Sequence, residues 1–182
     1  MTVPWPYPAQ LDEGAASHLV PGLRMPEVSL PSTLGGDINV GKLGGAAVLF
    51  VYPWAGRPGL PNPPNWDDIP GAHGSTPEAE GFREHYVAYR SMGIDVLGVS
   101  GQATADQQEF AARLKLPFQI LSDVRGALRA ALRLPTFETG GVIYLKRLTL
   151  VIRDGRIERA VYPVYPPHTH AGDLLAKLPV RS

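Results

Sequence analysis

The sequence predicts an α/β protein in which a mixed central sheet is covered by helices on both faces. Three observations carry that prediction. The short apolar runs "GAAVLFVYP" (45–53) and "GIDVLGVS" (93–100) have the composition of buried central strands. Segments with apolar residues three and four apart alternate with these runs, as amphipathic helices require. The stretch 147–164 alternates apolar and polar residues around Asp154-Gly155, a two-residue hairpin signal. With 182 residues, 44% of them hydrophobic and 19% charged, the chain is most simply one globular domain, 1–182, with a sizeable core.

The elements follow in order. Residues 1–24 are rich in proline and small residues and predict an arm laid over the domain. The strand at 45–53 ends in proline. Residues 55–74 then carry five prolines between that strand and the next helix. Such connections usually take about 2–6 residues, so this insertion is either a lid or a packing elaboration. From 76 to 92 the pattern is helical, with Phe82, Tyr86 and Tyr89 on one face. A crossover helix makes the strands at 46–52 and 94–99 parallel. "TADQQEFAARLKL" (104–116) predicts a helix with Thr104 as its cap. "FQILS" is a short strand, 124–134 a third helix, and "AGDLLAKL" a closing one. The hairpin strands are antiparallel.

Charge and composition exclude several functions. Lys plus Arg and Asp plus Glu number 17 each, so no long-range field favours nucleic acid or an anionic membrane surface. The start, "MTVPWPYPAQLDEG", lacks the basic and apolar regions of a secretory signal. No apolar run approaches the roughly 20 residues of a membrane span. A cytoplasmic location is the expectation. The chain has no cysteine, which rules out disulfides and thiolate metal sites and agrees with a reducing compartment.

Four local patterns invite chemistry. "GDINVGKL" (36–43) matches a phosphate-binding loop as far as its Lys, but Leu43 offers no hydroxyl to Mg²⁺ and a strand follows instead of a helix, so chance is the better reading. His168 and His170 in "PPHTH" lack the further ligands of a zinc site, which favours a solvated loop and no metal. Ser75 with His73 or His85 as base suggests a serine hydrolase only weakly, because "GAHGSTP" is not a nucleophile elbow. Finally, Ser75-x-x-Glu78 has the form of a capping box, with Pro77 suited to the first helical turn.

What surrounds Ser75 changes its meaning. "LPSTLGGDINVGKLGGAAVLFVYP", "GSTPEAEGFREH", "IDVLGVS", "LPFQILSD" and "LKRLTLVIRDGRI" occur in that order over about residues 24–178, and together they resemble the peroxiredoxins (AhpC/TSA family), closest to the bacterioferritin-comigratory, PrxQ-like branch. The resemblance implies a thioredoxin-like fold and a thiol-dependent peroxidase acting on hydrogen peroxide or organic hydroperoxides. In that family a strand ending in Tyr-Pro precedes a Cys-Thr-x-Glu that opens a helix, and an Arg precedes a later Thr-hydrophobic-Val-Ile strand. Tyr52-Pro53, Thr76, Glu78 and Arg147 match. The implied catalytic positions are therefore Ser75 and Arg147, and the implied substrate-binding ones Pro53, Thr76 and Glu78.

The departures from the pattern are as informative. Ser75 stands at the peroxidatic cysteine position, Glu80 where the branch often places its resolving cysteine, and Ala72 where a hydroxyl residue is usual; the proline loop lengthens the stretch between Pro53 and Ser75. The resemblance then implies an inactive Cys-to-Ser form of a single-cysteine enzyme, served by an external thiol (thioredoxin, a glutaredoxin-like protein or a small thiol) and needing no cofactor. Monomer and homodimer both fit. The alternative is a natural thioredoxin-fold pseudo-enzyme acting as a binding module.

Overall fold

The structure is a computed structural model that describes residues 4–180; positions 1–3 of the expected arm and 181–182 of the expected domain lie outside the described residues. A five-stranded sheet forms the centre. Its middle strand is β3 (Ala46–Val51), which followed β1 (Ser29–Pro31) and β2 (Asp37–Asn39), a small antiparallel hairpin. After β3 and the proline loop come α1 (Ser75–Glu84), α2 (Tyr86–Ser91), β4 (Ile94–Ser100), α3 (Thr104–Leu114), β5 (Ile120–Ser122) and α4 (Ala127–Leu132). A second hairpin, β6 (Thr136–Thr139) and β7 (Val142–Leu145), precedes β8 (Leu148–Arg153), β9 (Arg156–Val161) and α5 (His170–Lys177). The sheet order is β5-β4-β3-β8-β9, with β4 and β5 parallel to β3, β8 antiparallel to β3, and β9 antiparallel to β8.

Strand β3 is buried along its whole length, and its alternate side chains feed two cores. Ala47, Leu49 and Val51 pack with Leu97, Val99, Leu128, Leu132 and Leu150 under α4 and the first hairpin. Val48, Phe50 and Tyr52 pack with Phe82, Tyr89, Phe110 and Leu174 under α1, α2, α3 and α5. Phe50 stacks on Phe82 with centroids 4.5 Å apart and meets Phe118 edge-on at 5.6 Å. The hairpin β8–β9 turns at Asp154 and Gly155, both at positive φ, as a primed two-residue turn requires.

Several boundaries differ from expectation. The helix expected over 76–92 breaks at His85, whose ψ is 5°, into α1 and α2; Tyr89 then reaches the core and donates its hydroxyl to the Ala171 carbonyl at 2.7 Å. The helix expected over 124–134 is confined to α4 because Asp123 caps it from outside, its carboxylate accepting the N–H groups of Leu128 and Arg129, both at 2.9 Å. Thr104 is the first residue of α3 rather than its cap, a place taken by Ala103. The segment 36–43 holds β2 and a 3₁₀ turn, with no helix to receive a phosphate. The hairpins β1–β2 and β6–β7 lie in stretches that the sequence pattern left without an assigned element.

His168 and His170 depart most from expectation. They do not sit in a solvated loop. His170 opens α5, is buried, and bonds the Thr149 hydroxyl through Nε2 at 2.8 Å. The His168 ring stacks on Trp5 at 5.3 Å. An adjacent imidazole can fill a core position when a strand hydroxyl satisfies it, which spacing alone does not reveal.

Because Phe50 joins the central strand to α1 through aromatic stacking, Phe50→Ala should destabilise the protein by about 3–5 kcal/mol. Urea or guanidinium unfolding followed by circular dichroism measures this loss.

Candidate functional site

The sheet topology brings together residues far apart in the chain. β3 points its carboxyl end towards the start of α1, and antiparallel β8 begins at that same end, with Leu148 paired to Val51. Arg147, the residue before β8, is thereby delivered to the first turn of α1. This is the end of an α/β sheet at which ligand sites recur, because helix amino termini and loops converge there.

Arg147 is 1% exposed. Its Nη1 donates to Glu78 Oε1 at 3.0 Å, while Nη2 lies 3.1 Å from Ser75 Oγ and 3.1–3.2 Å from the carbonyl oxygens of Gly71, Ala72 and His73. Two hydrogens on Nη2 serve four oxygens, so these bonds are shared rather than individually strong. The three consecutive carbonyls form a cup that holds the charge against the start of the helix. From behind, Gln10 of the arm donates Nε2 to the Arg147 carbonyl at 2.9 Å and accepts the Val164 N–H at 2.9 Å.

The capping box expected from Ser75 and Glu78 does not form. Gly74 occupies the cap position, Ser75 is the first helical residue, and Glu78 turns its carboxylate to Arg147. A charge-assisted bond to a buried guanidinium outcompetes a neutral cap bond. Gly74 has φ 118°, and a Cβ there would meet Pro167 Cγ at 2.3 Å, so only glycine fits between the arm, the turn at 167–169 and the helix. In the first turn, Pro77 has no N–H and Glu78 donates its own to the Gly74 carbonyl. Helix geometry leaves the N–H groups of Ser75 and Thr76 without helical partners, and with them the positive end of the helix dipole.

These residues close one end of a cleft of about 350 Å³. Ser75, Thr76 and His73 line it, as do Trp54, Arg57 and Trp66 from the proline insertion and its start, and Trp5 and Tyr7 from the arm. The proline insertion thus contributes a wall of the cleft. Pro53 and Glu78 are buried behind the lining rather than part of it. The hydrolase pattern is not assembled: His73 binds Asp67 through Nε2 at 2.6 Å, and no histidine among the described residues hydrogen-bonds Ser75. No cluster of three metal-ligating side chains occurs among the described residues either. Sequence reasoning missed Gln10, Trp5 and Tyr7. Their signal was present only as aromatic and amide residues in an arm of otherwise small residues and prolines.

The electrostatics of the site follow from burial. Desolvation pushes the Glu78 carboxyl up to about 7, although Arg147 pulls the other way by its charge and hydrogen bond. Glu78 Oε2 finds no partner among the described residues, which leaves desolvation dominant. Burial lowers the Arg147 pKa, opposed chiefly by Glu78, but a guanidinium remains charged. His170 is driven down to about 4, first by burial and then by the nearby Arg147 charge, so it is neutral at pH 7.

A model of the AhpC/TSA family matches residues 70–160, which include α1, Arg147 and most of the sheet. Among curated proteins, the chain is 26% identical to the chloroplastic peroxiredoxin Q of Triticum aestivum over 151 residues, covering 82% of this chain and 62% of that protein. It is 28% identical to peroxiredoxin bcp1 of Schizosaccharomyces pombe over 119 residues, covering 64% and 53%. The chain thus spans under two thirds of the length of these curated relatives. Peroxidoxin BcpB from Mycobacterium tuberculosis superposes with a TM-score of 0.70 at 24% identity, covering 87% of this chain and 96% of that one. A Cys-to-Ser mutant of PrxQ from Xylella fastidiosa gives 0.71 at 23%, covering 88% and 95%. The fold is therefore the thioredoxin-like fold of these proteins.

Glu78 and His170 should shape acid stability with opposite signs. The native state keeps the Glu78 proton over a range in which the unfolded chain has lost it. That contribution is present below about pH 4.5 and disappears as pH rises towards about 7. His170 binds its proton more weakly when folded, so its contribution is present above pH 6.5 and disappears as pH falls towards about 4. Between about pH 4.5 and 6.5 the two oppose each other. Relative to the parent, Glu78→Gln should make stability climb more steeply with pH in that window, and His170→Gln less steeply. Urea unfolding at several pH values measures both slopes.

Proposed function

The chain belongs to the AhpC/TSA family, and on that footing we propose that its cleft is a thiol-peroxidase site whose nucleophile position is filled by Ser75. One observation carries the reading: the buried guanidinium of Arg147 lies 3.1 Å from Ser75 Oγ at the amino end of α1. A cysteine sulfur at this position meets a full positive charge and two free N–H groups. A free thiol has a pKa of about 8.5, and lowering it to about 6 takes roughly 3.4 kcal/mol of preferential thiolate stabilisation. A buried guanidinium and a helix terminus act together in that direction.

The reaction this geometry suits is peroxide reduction. A thiolate attacks one peroxide oxygen, an S–O bond forms as the O–O bond breaks, and the sulfur gives up two electrons. The departing hydroxide or alkoxide takes a proton and leaves as water or alcohol, with a sulfenic acid on the protein. Arg147 stabilises the negative charge throughout, first on sulfur and then on the departing oxygen. A first external thiol condenses with the sulfenic acid to a mixed disulfide with loss of water, and a second thiol displaces the protein sulfur as a thiol, so that the two external sulfurs leave joined as a disulfide. The chain contains no second cysteine to do this, and Glu80 stands where such a partner is often found.

Serine does not complete the cycle. Its hydroxyl stays protonated near neutral pH and lacks the polarisable sulfur that attacks O–O bonds. The chain as it stands is the inactive form of a single-cysteine peroxidase that acts on hydrogen peroxide or organic hydroperoxides in the cytoplasm, as a monomer or homodimer. Its lack of any cysteine also favours a second reading, a thioredoxin-fold binding module that keeps the cleft without the chemistry.

Ser75→Cys separates the two. The variant should consume hydroperoxide in the presence of dithiothreitol, while the parent should not, and its thiol should titrate well below the free value of about 8.5. Arg147→Ala in that background should raise the thiol pKa and slow turnover by about 10²-fold or more. Peroxide loss over time and thiolate absorbance against pH are the measurements. A folded Ser75→Cys protein with an ordinary thiol and no turnover leaves the binding module as the reading.

A further inference from the structure

All three tryptophans of the chain, Trp5, Trp54 and Trp66, line the cleft that ends at Ser75, and Tyr7 joins them. Chance does not readily gather the rarest large side chains of a chain around one opening. Each ring is also held in place. Tyr7 stacks on His73 with centroids 3.6 Å apart, Trp5 stacks on His168 at 5.3 Å, and Trp54 meets Trp66 edge-on at 5.4 Å. Trp66 is anchored in turn by Tyr144 of β7 at 5.1 Å. Gly56 lets the Trp54 ring lie against the backbone, since a Cβ there would come 2.8 Å from Cη2. Rings locked before a ligand arrives lose little freedom when it binds, and they offer broad apolar faces.

The charges around the cleft select for a neutral ligand. Arg57 is bonded to Asp106 at 2.9 Å and lies 3.7 Å from Glu109, and Arg113 is bonded to Glu109 at 2.8 Å and to the Gly56 carbonyl at 2.8 Å. Two guanidinium groups face two carboxylates, and Arg147 is already matched by Glu78. No net charge is left over to draw in an anionic tail. The volume points the same way: about 350 Å³ is the space of about a dozen waters, far more than hydrogen peroxide fills.

We infer that this cleft binds the aryl group of a small neutral ligand between Trp5, Tyr7 and Trp54, with the ligand's oxygen end directed at Ser75 and Arg147. Under the peroxidase reading, on which the identity of that oxygen end rests, the ligand is an aryl hydroperoxide. Specificity then resides in the arm and the proline insertion, the two segments that lie outside the helix and strands carrying the reaction. The binding part of the inference needs no thiol and can be tested on the chain as it is.

The probe is 2-phenylpropan-2-ol, the alcohol that remains when cumene hydroperoxide is reduced, compared with tert-butanol, which has the same carbinol end and no ring. Since every tryptophan lines the cleft, intrinsic tryptophan emission reports occupancy directly. The aryl alcohol should give a saturable change at roughly tenfold lower concentration than tert-butanol. Trp54→Ala, checked for folding by circular dichroism, should weaken the aryl alcohol by a similar factor and leave tert-butanol less affected. In the Ser75→Cys protein, kcat/KM for cumene hydroperoxide should exceed that for hydrogen peroxide, and Trp54→Ala should reduce the ratio. A non-saturating response to the aryl alcohol, or equal affinity for the two alcohols, overturns the inference even if Ser75→Cys turns over hydrogen peroxide. Saturable aryl binding with no turnover of any peroxide by Ser75→Cys overturns the peroxidase reading instead, and leaves an aryl-binding cleft.

Discussion

A guanidinium buried at the end of a sheet is the constraint from which the site follows. Withdrawing such a charge from water costs several kcal/mol unless its partners replace the lost hydration. The guanidinium obtains those partners from three places, Glu78 in the first turn of α1, the carbonyls of Gly71–His73 and the Ser75 hydroxyl, while Gln10 holds the Arg147 backbone from behind. Each contact immobilises the segment that supplies it. Removing the arginine would leave a buried carboxyl and a turn of inward-pointing carbonyls without their counter-charge, so the geometry around position 75 depends on it as much as the chemistry does.

That dependence reaches outward in layers. The carbonyl cup fixes the turn before α1, and the turn brings His73 under Tyr7. The arm that carries Tyr7 also carries Trp5 and Gln10, so one segment both backs the arginine and walls the cleft. Trp54, just before the proline insertion, and Trp66 within it also line the cleft, with the β6–β7 hairpin packed behind Trp66 through Phe137 and Tyr144. Prolines reduce the freedom that such a long connection loses on ordering, which lets a loop serve as a rigid wall. The segments least regular in secondary structure thereby shape the cleft, while the regular ones place Ser75 and Arg147 at its end.

The neighbouring core explains a different part of the design. His170, Thr149 and Tyr89 are polar groups in the layer beneath α1 and α5, and each is satisfied by a partner: His170 and Thr149 by each other, Tyr89 by the Ala171 carbonyl. A neutral imidazole near Arg147 adds no positive charge to repel it. The same burial that keeps His170 neutral holds Arg147 in its pair with Glu78, and one face of the guanidinium stays turned to the Ser75 hydroxyl.

How much of this could be read from residues alone depended on the range of the forces involved. The central strands, the crossover, the Asp154-Gly155 hairpin and the helical start at Ser75 are encoded in local periodicity and turn chemistry, and the order of motifs around Ser75, Thr76, Glu78 and Arg147 pointed to the site. The cap from Asp123 lies five and six residues before the N–H groups it accepts, outside the usual cap spacing. The break at His85, after which Tyr89 reaches Ala171, and the burial of His170 on Thr149 were not legible, because each involves a partner distant in sequence. The capping box failed for the same reason: a local hydrogen bond was displaced by a buried charge 69 residues away. The sequence by itself determined that an α/β sheet would form and that a serine would stand at the start of a helix behind a long proline loop. Only the tertiary structure decided that the arm, the insertion and Arg147 meet around that serine, because burial of a guanidinium and stacking of aromatic rings act between segments that no local pattern connects.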